Sequence, residues 1–259
     1  MSGTPPGAGC LARLDVLVLA GGLGLRMREA LDGGPKLLAP VAGRPFLAYL
    51  LDWLAGFGAR RIVLALGCGA EAILDHLARM QRPGLALESV VEPHPLGTAG
   101  AVRFARGRLA SDPVLVVNGD SFVDADLSEL VERHRKVGAL GTLLCTEVED
   151  AGRYGRVVID AAGRIACFVE KDASHRGSAT ISAGVYLLSS RLLDEIAAGT
   201  AVSLERDVFE RLPAGSLAAL AGRYRFIDIG TPESFARAAE LLGGSAREAA
   251  AACSGGCRR

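Results

Sequence analysis

Residues 17–26 read Leu-Val-Leu-Ala-Gly-Gly-Leu-Gly-Leu-Arg, and Pro35-Lys36 follows in the same connection. An apolar run of the fully buried strand type enters a glycine-rich loop that carries Arg26, with Lys36 beyond it. Glycine lets backbone N–H groups crowd around phosphate oxygens with no side chain in the way. Arg26 and Lys36 can then neutralise a polyphosphate from two sides. The stretch reads as a nucleoside triphosphate site at the end of a strand. Taken alone, the loop is also open to a plain βα turn in which glycine serves geometry only. Two familiar phosphate motifs do not fit. No Gly-x-x-x-x-Gly-Lys-Ser/Thr run occurs, and Gly22-Leu-Gly24-Leu-Arg-Met27 lacks the third glycine of a dinucleotide fingerprint.

Working outward, strand-like and helix-like segments alternate. Asp15–Ala20 reads as a strand. Pro45 to Phe57 is a helix that starts at proline and stops at Gly58, and the long connection over 21–44 is functional rather than mere linkage. Arg61–Leu66, Leu85–Val91 and Val114–Asn118 are strands; Ala70–Met80, Thr98–Arg108 and Leu127–Val137 are helices. This alternation predicts a parallel sheet covered on both faces. After Gly138 the pattern turns antiparallel. Leu140–Glu147, Arg156–Ile159, Arg164–Glu170, Gly184–Leu188 and Arg225–Ile229 read as strands, with a hairpin turn at Asp160–Gly163. Helices are expected near Leu192–Ala198, Leu204–Arg211 and Pro232–Leu242. The expected organisation is a flexible leader over 1–13, one domain over 14–242 and a flexible tail over 243–259. A metal site at Cys253 and Cys257 in that tail would need two further ligands, and none are nearby.

Composition narrows the function. The 259 residues carry 29 basic and 29 acidic side chains, so net charge is zero. That argues against a nucleic-acid partner and makes any anion site local. No apolar stretch reaches the roughly 20 residues of a membrane span, and Asp15 interrupts the early apolar run, so neither a membrane partner nor a secretory segment is expected. The six cysteines lack Cys-x-x-Cys pairs, and reduced thiols in a cytoplasmic protein are the reading. Cations are overwhelmingly arginine; the lysines are Lys36, Lys136 and Lys171. Lysines kept under such a bias suggest a need for compact point charges at Lys36 and Lys171. His76, His94, His134 and His175 are dispersed and carry no assigned role.

Further motifs follow predicted strands, where an open α/β sheet places its ligands. Asn118-Gly119-Asp120 puts a carboxylate where it is either a Mg²⁺ ligand or a turn residue. Phe226-Ile-Asp228-Ile-Gly230-Thr-Pro232 puts a carboxylate within an apolar strand, where it must be metal-bound or paired, for instance with an arginine. Glu170-Lys171 offers an acceptor for sugar hydroxyls and a cation for a second phosphate, or an ordinary ion pair. Pro95-Leu-Gly97-Thr98-Ala-Gly100 opens a helix whose free backbone donors could meet a base, ribose or phosphate.

In this order, these motifs together with Ser182-Ala-Gly184-Val-Tyr186 resemble the sugar-1-phosphate nucleotidyltransferase family, from about Asp15 to Leu242. Val41-Ala-Gly-Arg-Pro-Phe46, Arg153-Tyr-Gly155 and Ser203-Leu-Glu205 resemble most the D-glycero-α-D-manno-heptose 1-phosphate guanylyltransferases, with mannose and N-acetylmuramate 1-phosphate enzymes sharing much of the pattern. The resemblance implies a Rossmann-like three-layer α/β/α sandwich with a mainly parallel mixed sheet. It implies transfer of a nucleotidyl group from a nucleoside triphosphate, GTP first, to a sugar 1-phosphate. Arg26, Lys36 and Lys171 would be the catalytic cations. Ala20, Gly21, Gly22, Gly24, Gly97, Thr98 and Gly119 would hold the nucleotide; Gly155, Glu170, Ser182, Ala183 and Gly184 the sugar; Asp120 and Asp228 Mg²⁺. Association into a homodimer would be in keeping with the family. Another base or sugar, or a catalytically silent nucleotide-sugar-binding subunit, are the alternatives. The chain departs from the family pattern at Leu25 (usually Thr), Leu37 (usually Pro), Cys68 (usually aromatic) and Ser182 (usually Asn).

Overall fold

The computed structural model describes residues 9–22, 27, 31 and 33–242. The opening apolar run forms β1 (Val16–Ala20), and after it come the short strands β2 (Pro40–Val41) and β3 (Arg44–Pro45). Pro45 caps α1 (Phe46–Gly56), as expected of a residue with no N–H to lose. Then come β4 (Arg61–Leu66), α2 (Ala70–Arg79), β5 (Ala86–Val91), α3 (Gly97–Ala105), β6 (Val114–Asn118), β7 (Ser121–Asp124) and α4 (Leu127–Val137). The second half supplies β8 (Gly141–Val148), β9 (Arg156–Ile159), β10 (Ile165–Val169), β11 (Ala179–Leu188), α5 (Ser190–Glu195), β12 (Leu217–Gly222) and β13 (Arg225–Asp228). A further helix runs over 232–242.

In the main sheet β5, β4, β1 and β6 are parallel neighbours in that order. Strand β11 pairs antiparallel with β6 and with β8, and β12 lies parallel to β8. The β9–β10 hairpin joins the N-terminal half of β11. This is the three-layer mixed sheet expected. Alternate residues face opposite layers: Val16 and Val18 pack with α1, α2 and α4, whereas Leu17 packs with α3 and α5. A smaller apolar cluster joins Phe46, Tyr49, Phe122, Ile227 and Ile229 to the helix over 232–242. Trp53 lies against this cluster, its ring 5.6 Å from that of Phe122.

Several elements differ from expectation. Strand β11 is ten residues long and starts five residues before the expected Gly184, because β8 and β9 pair with its first half. Strands β7 and β12 were not expected, and the helix expected at Leu204–Arg211 is a wide turn over Leu204–Val208 followed by a tight turn over Phe209–Arg211. Residues 9–13 do not form the loose leader expected: Leu11 is fully buried and its N–H donates to the Phe57 carbonyl (3.1 Å). The expected tail with Cys253 and Cys257 lies outside the described residues.

Candidate active site

The strand order creates the site. From β1 the chain builds outward through β4 and β5, then crosses back through α3 to β6 on the other side of β1. Where the direction reverses, the connections diverge and leave a crevice at the C-terminal strand ends. A cavity of about 480 Å³ occupies it, lined by Ala20, Gly21 and Gly22 after β1, Lys36, Asn118 and Asp120, with Gly97 and Thr98 at the start of α3. A Cβ at Gly21 would fall 2.5 Å from Glu92 Oε1, so a side chain here would have to push the Glu92 carboxylate aside. Lys36 Nζ is 3.4 Å from Asp120 Oδ2, and the Asp120 side chain is 44% exposed. Gly24, Leu25 and Arg26 lie outside the described residues.

Two expectations about this cavity are corrected. The start of α3 is not an open set of donors: the Val202 carbonyl accepts from Ala99 N (2.9 Å) and Gly100 N (3.3 Å), and Thr98 Oγ1 accepts from Leu204 N (2.8 Å). Gly97 and Thr98 line the cavity as wall. Gly119 is not among the lining residues; its N–H donates to the Leu19 carbonyl (2.8 Å) and ties the turn after β6 to β1. Asp228 is paired, as an arginine partner would require. Its carboxylate accepts from Arg153 Nη2 (3.1 Å), Gly230 N (2.9 Å) and the Tyr154 hydroxyl, and is 14% exposed. Burial and the Asp228 charge hold the Tyr154 hydroxyl proton well above its ordinary range.

Asp120 and Asp228 are still neighbours. Strands β7 and β13 pair with Asp228 opposite Ser121, and Ile229 N donates to the Asp120 carbonyl (2.8 Å). No cluster of three or more metal-ligating side chains occurs among the described residues. The Asp120 carboxylate suits Mg²⁺, a hard cation that combines one or two carboxylates with phosphate oxygens and water. The Asp228 carboxylate suits it only by giving up donors it now accepts from.

A second cavity, about 330 Å³, is lined by Gly155, Glu170, Lys171, Ser182, Ser203 and Glu205 among others. It therefore gathers three of the expected sugar residues, Gly155, Glu170 and Ser182, together with the expected cation Lys171. Ala183 is not one of them: it is 1% exposed and belongs to the core. Gly184 does not line it either. The register slips between Ser182 and Val185, and Gly184 takes φ +74° there; a Cβ on it would fall 2.7 Å from Asn118 Nδ2. Asn118 lines the first cavity and Ser182 the second, so the bulge lies between the two linings.

Three polar side chains that line the cavities, Glu205, Asn118 and Glu92, escaped the sequence reading. Glu205 ends a hydrogen-bonded chain in which the Tyr186 hydroxyl donates to Glu205 Oε1 (3.4 Å) and Ser182 Oγ donates to Tyr186 (3.3 Å). Burial pushes the Glu205 carboxyl up, with the Lys171 charge opposing. Asn118 lines the first cavity, and Glu92 lies beneath the glycine loop. Glu92 follows β5 as Asp120 follows β6, and acids at strand ends were the available signal. Glu205 was visible only as part of Ser203-Leu-Glu205.

The nucleotidyl transferase family model matches residues 15–243. The chain belongs to the nucleotidyl transferase family. It is 35% identical over 238 residues to the mannose-1-phosphate guanylyltransferase of Mycobacterium tuberculosis, covering 90% of this chain and 66% of the relative. It is 30% identical over 231 residues to the D-glycero-alpha-D-manno-heptose 1-phosphate guanylyltransferase of Aneurinibacillus thermoaerophilus, covering 88% of this chain and 98% of the relative. This nucleotidyl transferase chain thus spans about two thirds of the mannose-type relative's length. Among solved structures, HddC from Yersinia pseudotuberculosis complexed with GMP-PN superposes with a TM-score of 0.79 at 30% identity, covering 88% of this chain and 99% of that one.

Proposed function

We propose that this chain transfers the guanylyl group of GTP to a manno-configured sugar 1-phosphate, D-glycero-α-D-manno-heptose 1-phosphate first, and releases pyrophosphate. The observation that carries the reading is the pair of cavities on either side of the β11 bulge, the first lined by Asn118 and Lys36 and the second by Ser182 and Lys171. The sugar phosphate oxygen attacks the α-phosphorus in line; the bond to the bridging oxygen breaks, and pyrophosphate leaves with that electron pair. The nucleophile is already an anion, so no side chain need remove a proton. The chain's task is to bring two polyanions together and neutralise them.

In this reading Lys36 and Arg26 bear on the triphosphate from opposite ends of the glycine loop, and Lys171 holds the acceptor phosphate. Lys36 exchanges its Asp120 partner for phosphate when the nucleotide arrives. Asp120, with Asp228 beside it, would hold Mg²⁺, which when bound supplies further charge neutralisation at the phosphates. Glu170, Glu205 and Ser182 accept from or donate to the sugar hydroxyls. The names of the two relatives support guanine as the base and a manno-configured acceptor. The test is pyrophosphate release with Mg²⁺ across four nucleoside triphosphates and heptose, mannose and N-acetylmuramate 1-phosphates. GTP with the heptose phosphate should be fastest. Mannose 1-phosphate as the faster acceptor would overturn the heptose assignment, and no release with any pair would overturn the reaction.

A further inference from the structure

The Asp228 carboxylate is saturated with donors. A carboxylate offers about four lone-pair sites. Oδ1 accepts from Gly230 N (2.9 Å), Arg153 Nη2 (3.1 Å) and Ser234 Oγ (3.5 Å). Oδ2 accepts from the Tyr154 hydroxyl and, at 3.4 Å, from the same Arg153 nitrogen. A cation must therefore take a lone pair that a donor now holds. Gly230 N belongs to the backbone turn after β13, and Ser234 is also bonded to Thr231. The Tyr154 ring packs edge-on against Phe226, with centroids 5.8 Å apart. Arg153 is the donor best placed to leave, its side chain 44% exposed against 14% for Asp228. Its departure also removes one positive charge as another arrives. Asp120 repeats the arrangement with Lys36 at 3.4 Å, so each acid of the pair carries a counter-ion of its own.

We propose that Arg153 is a latch on the cation site: its guanidinium stands on Asp228 in place of a divalent cation, which binds that carboxylate only by expelling it. The latch keeps Asp228 compensated at rest, since an unpaired carboxylate at this depth is costly. A bare divalent cation gains little by the exchange. One that arrives with phosphate oxygens brings further ligands with it. The latch thus favours metal carried in by the triphosphate over metal alone. Gly155, two residues beyond Arg153, lines the second cavity, so the segment that carries the latch also borders the acceptor. Arg153 acts through Asp228 and is a positioning residue. This inference rests on the reading of Asp120 and Asp228 as the cation's ligands, and it adds the residue that opposes the cation.

The test is Mn²⁺ binding to the full chain without nucleotide, read by electron paramagnetic resonance of the free ion, with Mn²⁺ standing in for Mg²⁺. Arg153→Ala should bind Mn²⁺ about 5- to 10-fold tighter than wild type. The gain should vanish without the Asp228 charge: Asp228→Asn and the double variant Arg153→Ala with Asp228→Asn should agree within about 2-fold. A residue that merely supported its loop would weaken binding when removed. Arg153→Gln, which also removes the charge, should bind tighter as well and serves if the alanine variant does not fold. Weaker or unchanged binding in these variants overturns the latch. A gain that persists with Asp228→Asn would come from a general field acting on Asp120 and would overturn it too. Asp120→Asn tests the reading beneath. If it weakens Mn²⁺ binding while Arg153→Ala does not tighten it, the latch alone fails. If Asp120→Asn leaves Mn²⁺ binding unchanged, the assignment of the cation site fails and takes the latch with it.

Discussion

Ala42 sits at φ 46° and Gly43 at φ 80°, closing the β2–β3 hairpin with both central residues in the left-handed region. That turn favours Asn-Gly or Gly-Gly, and alanine there bears a steric cost of about 1–2 kcal/mol. Ala42→Gly or Ala42→Asn should raise stability by up to about 1 kcal/mol and the melting temperature by about 2–4 °C, read by thermal denaturation. In the site, Asp120 is half exposed and its charge is not needed for packing. Asp120→Asn should fold normally and lower turnover about 100- to 1,000-fold, measured as pyrophosphate release; unchanged turnover would remove Asp120 from the reaction. Asp120, Glu170 and Lys171 could be picked out from sequence because a charge just after an apolar strand has few structural uses, and Lys36 because lysine is scarce in this chain and follows the glycine loop. Glu92 directly follows β5 and carried the same signal, which went unread. Asp228 was legible as a buried acid, but its partner Arg153 is 75 positions away and no local pattern links them.

At the scale of elements, the bulge in β11 does the positioning. Between Ser182 and Val185 the strand skips register, which turns Ser182 toward the second cavity while Val185–Leu188 pair with β6. Gly184→Ala would place a Cβ 2.7 Å from Asn118 Nδ2 at positive φ. The expected cost is about 2 kcal/mol or more in urea unfolding, with a weakened acceptor-phosphate KM as the functional readout. The parallel half of the sheet was legible because its strands are continuous apolar runs bounded by turns. The antiparallel half was less so. Strand β12, Leu-Ala-Ala-Leu-Ala-Gly, has the composition of a helix and is a strand because β8 pairs with all six residues. Strand β7 has four residues and takes its form from β13, a hundred positions later. Ser203 does cap the turn over Leu204–Val208, its Oγ accepting from Arg206 N (3.4 Å). The turn it starts is wider than an α-helix.

Across the whole molecule, the buried titratable groups set the pH response. His134 is 9% exposed, its Nδ1 2.9 Å from Thr142 Oγ1, and burial holds its pKa below 6.5. The unfolded chain therefore takes up a proton first as pH falls. The stability due to His134 is complete above pH 6.5 and is lost as pH drops from there through the lower folded value. Glu92 and Glu205 have raised pKa values, so their share is complete below about 4.5 and is lost as pH rises through their folded values. The two effects oppose each other between about pH 7.5 and pH 5, so the His134 share is read as a difference: the stability gap between wild type and His134→Gln in urea midpoints should shift against wild type as pH falls, and a gap independent of pH would mean that His134 does not contribute to the slope. Trp53 is the chain's one tryptophan, and its ring tilts against Phe122, two residues beyond Asp120 on the strand that leads away from the first cavity. Its emission comes from a single place, next to the strand pair that carries both acids. The protein thus has a built-in optical probe, able to follow the arrival of nucleotide or cation in real time without label or turnover.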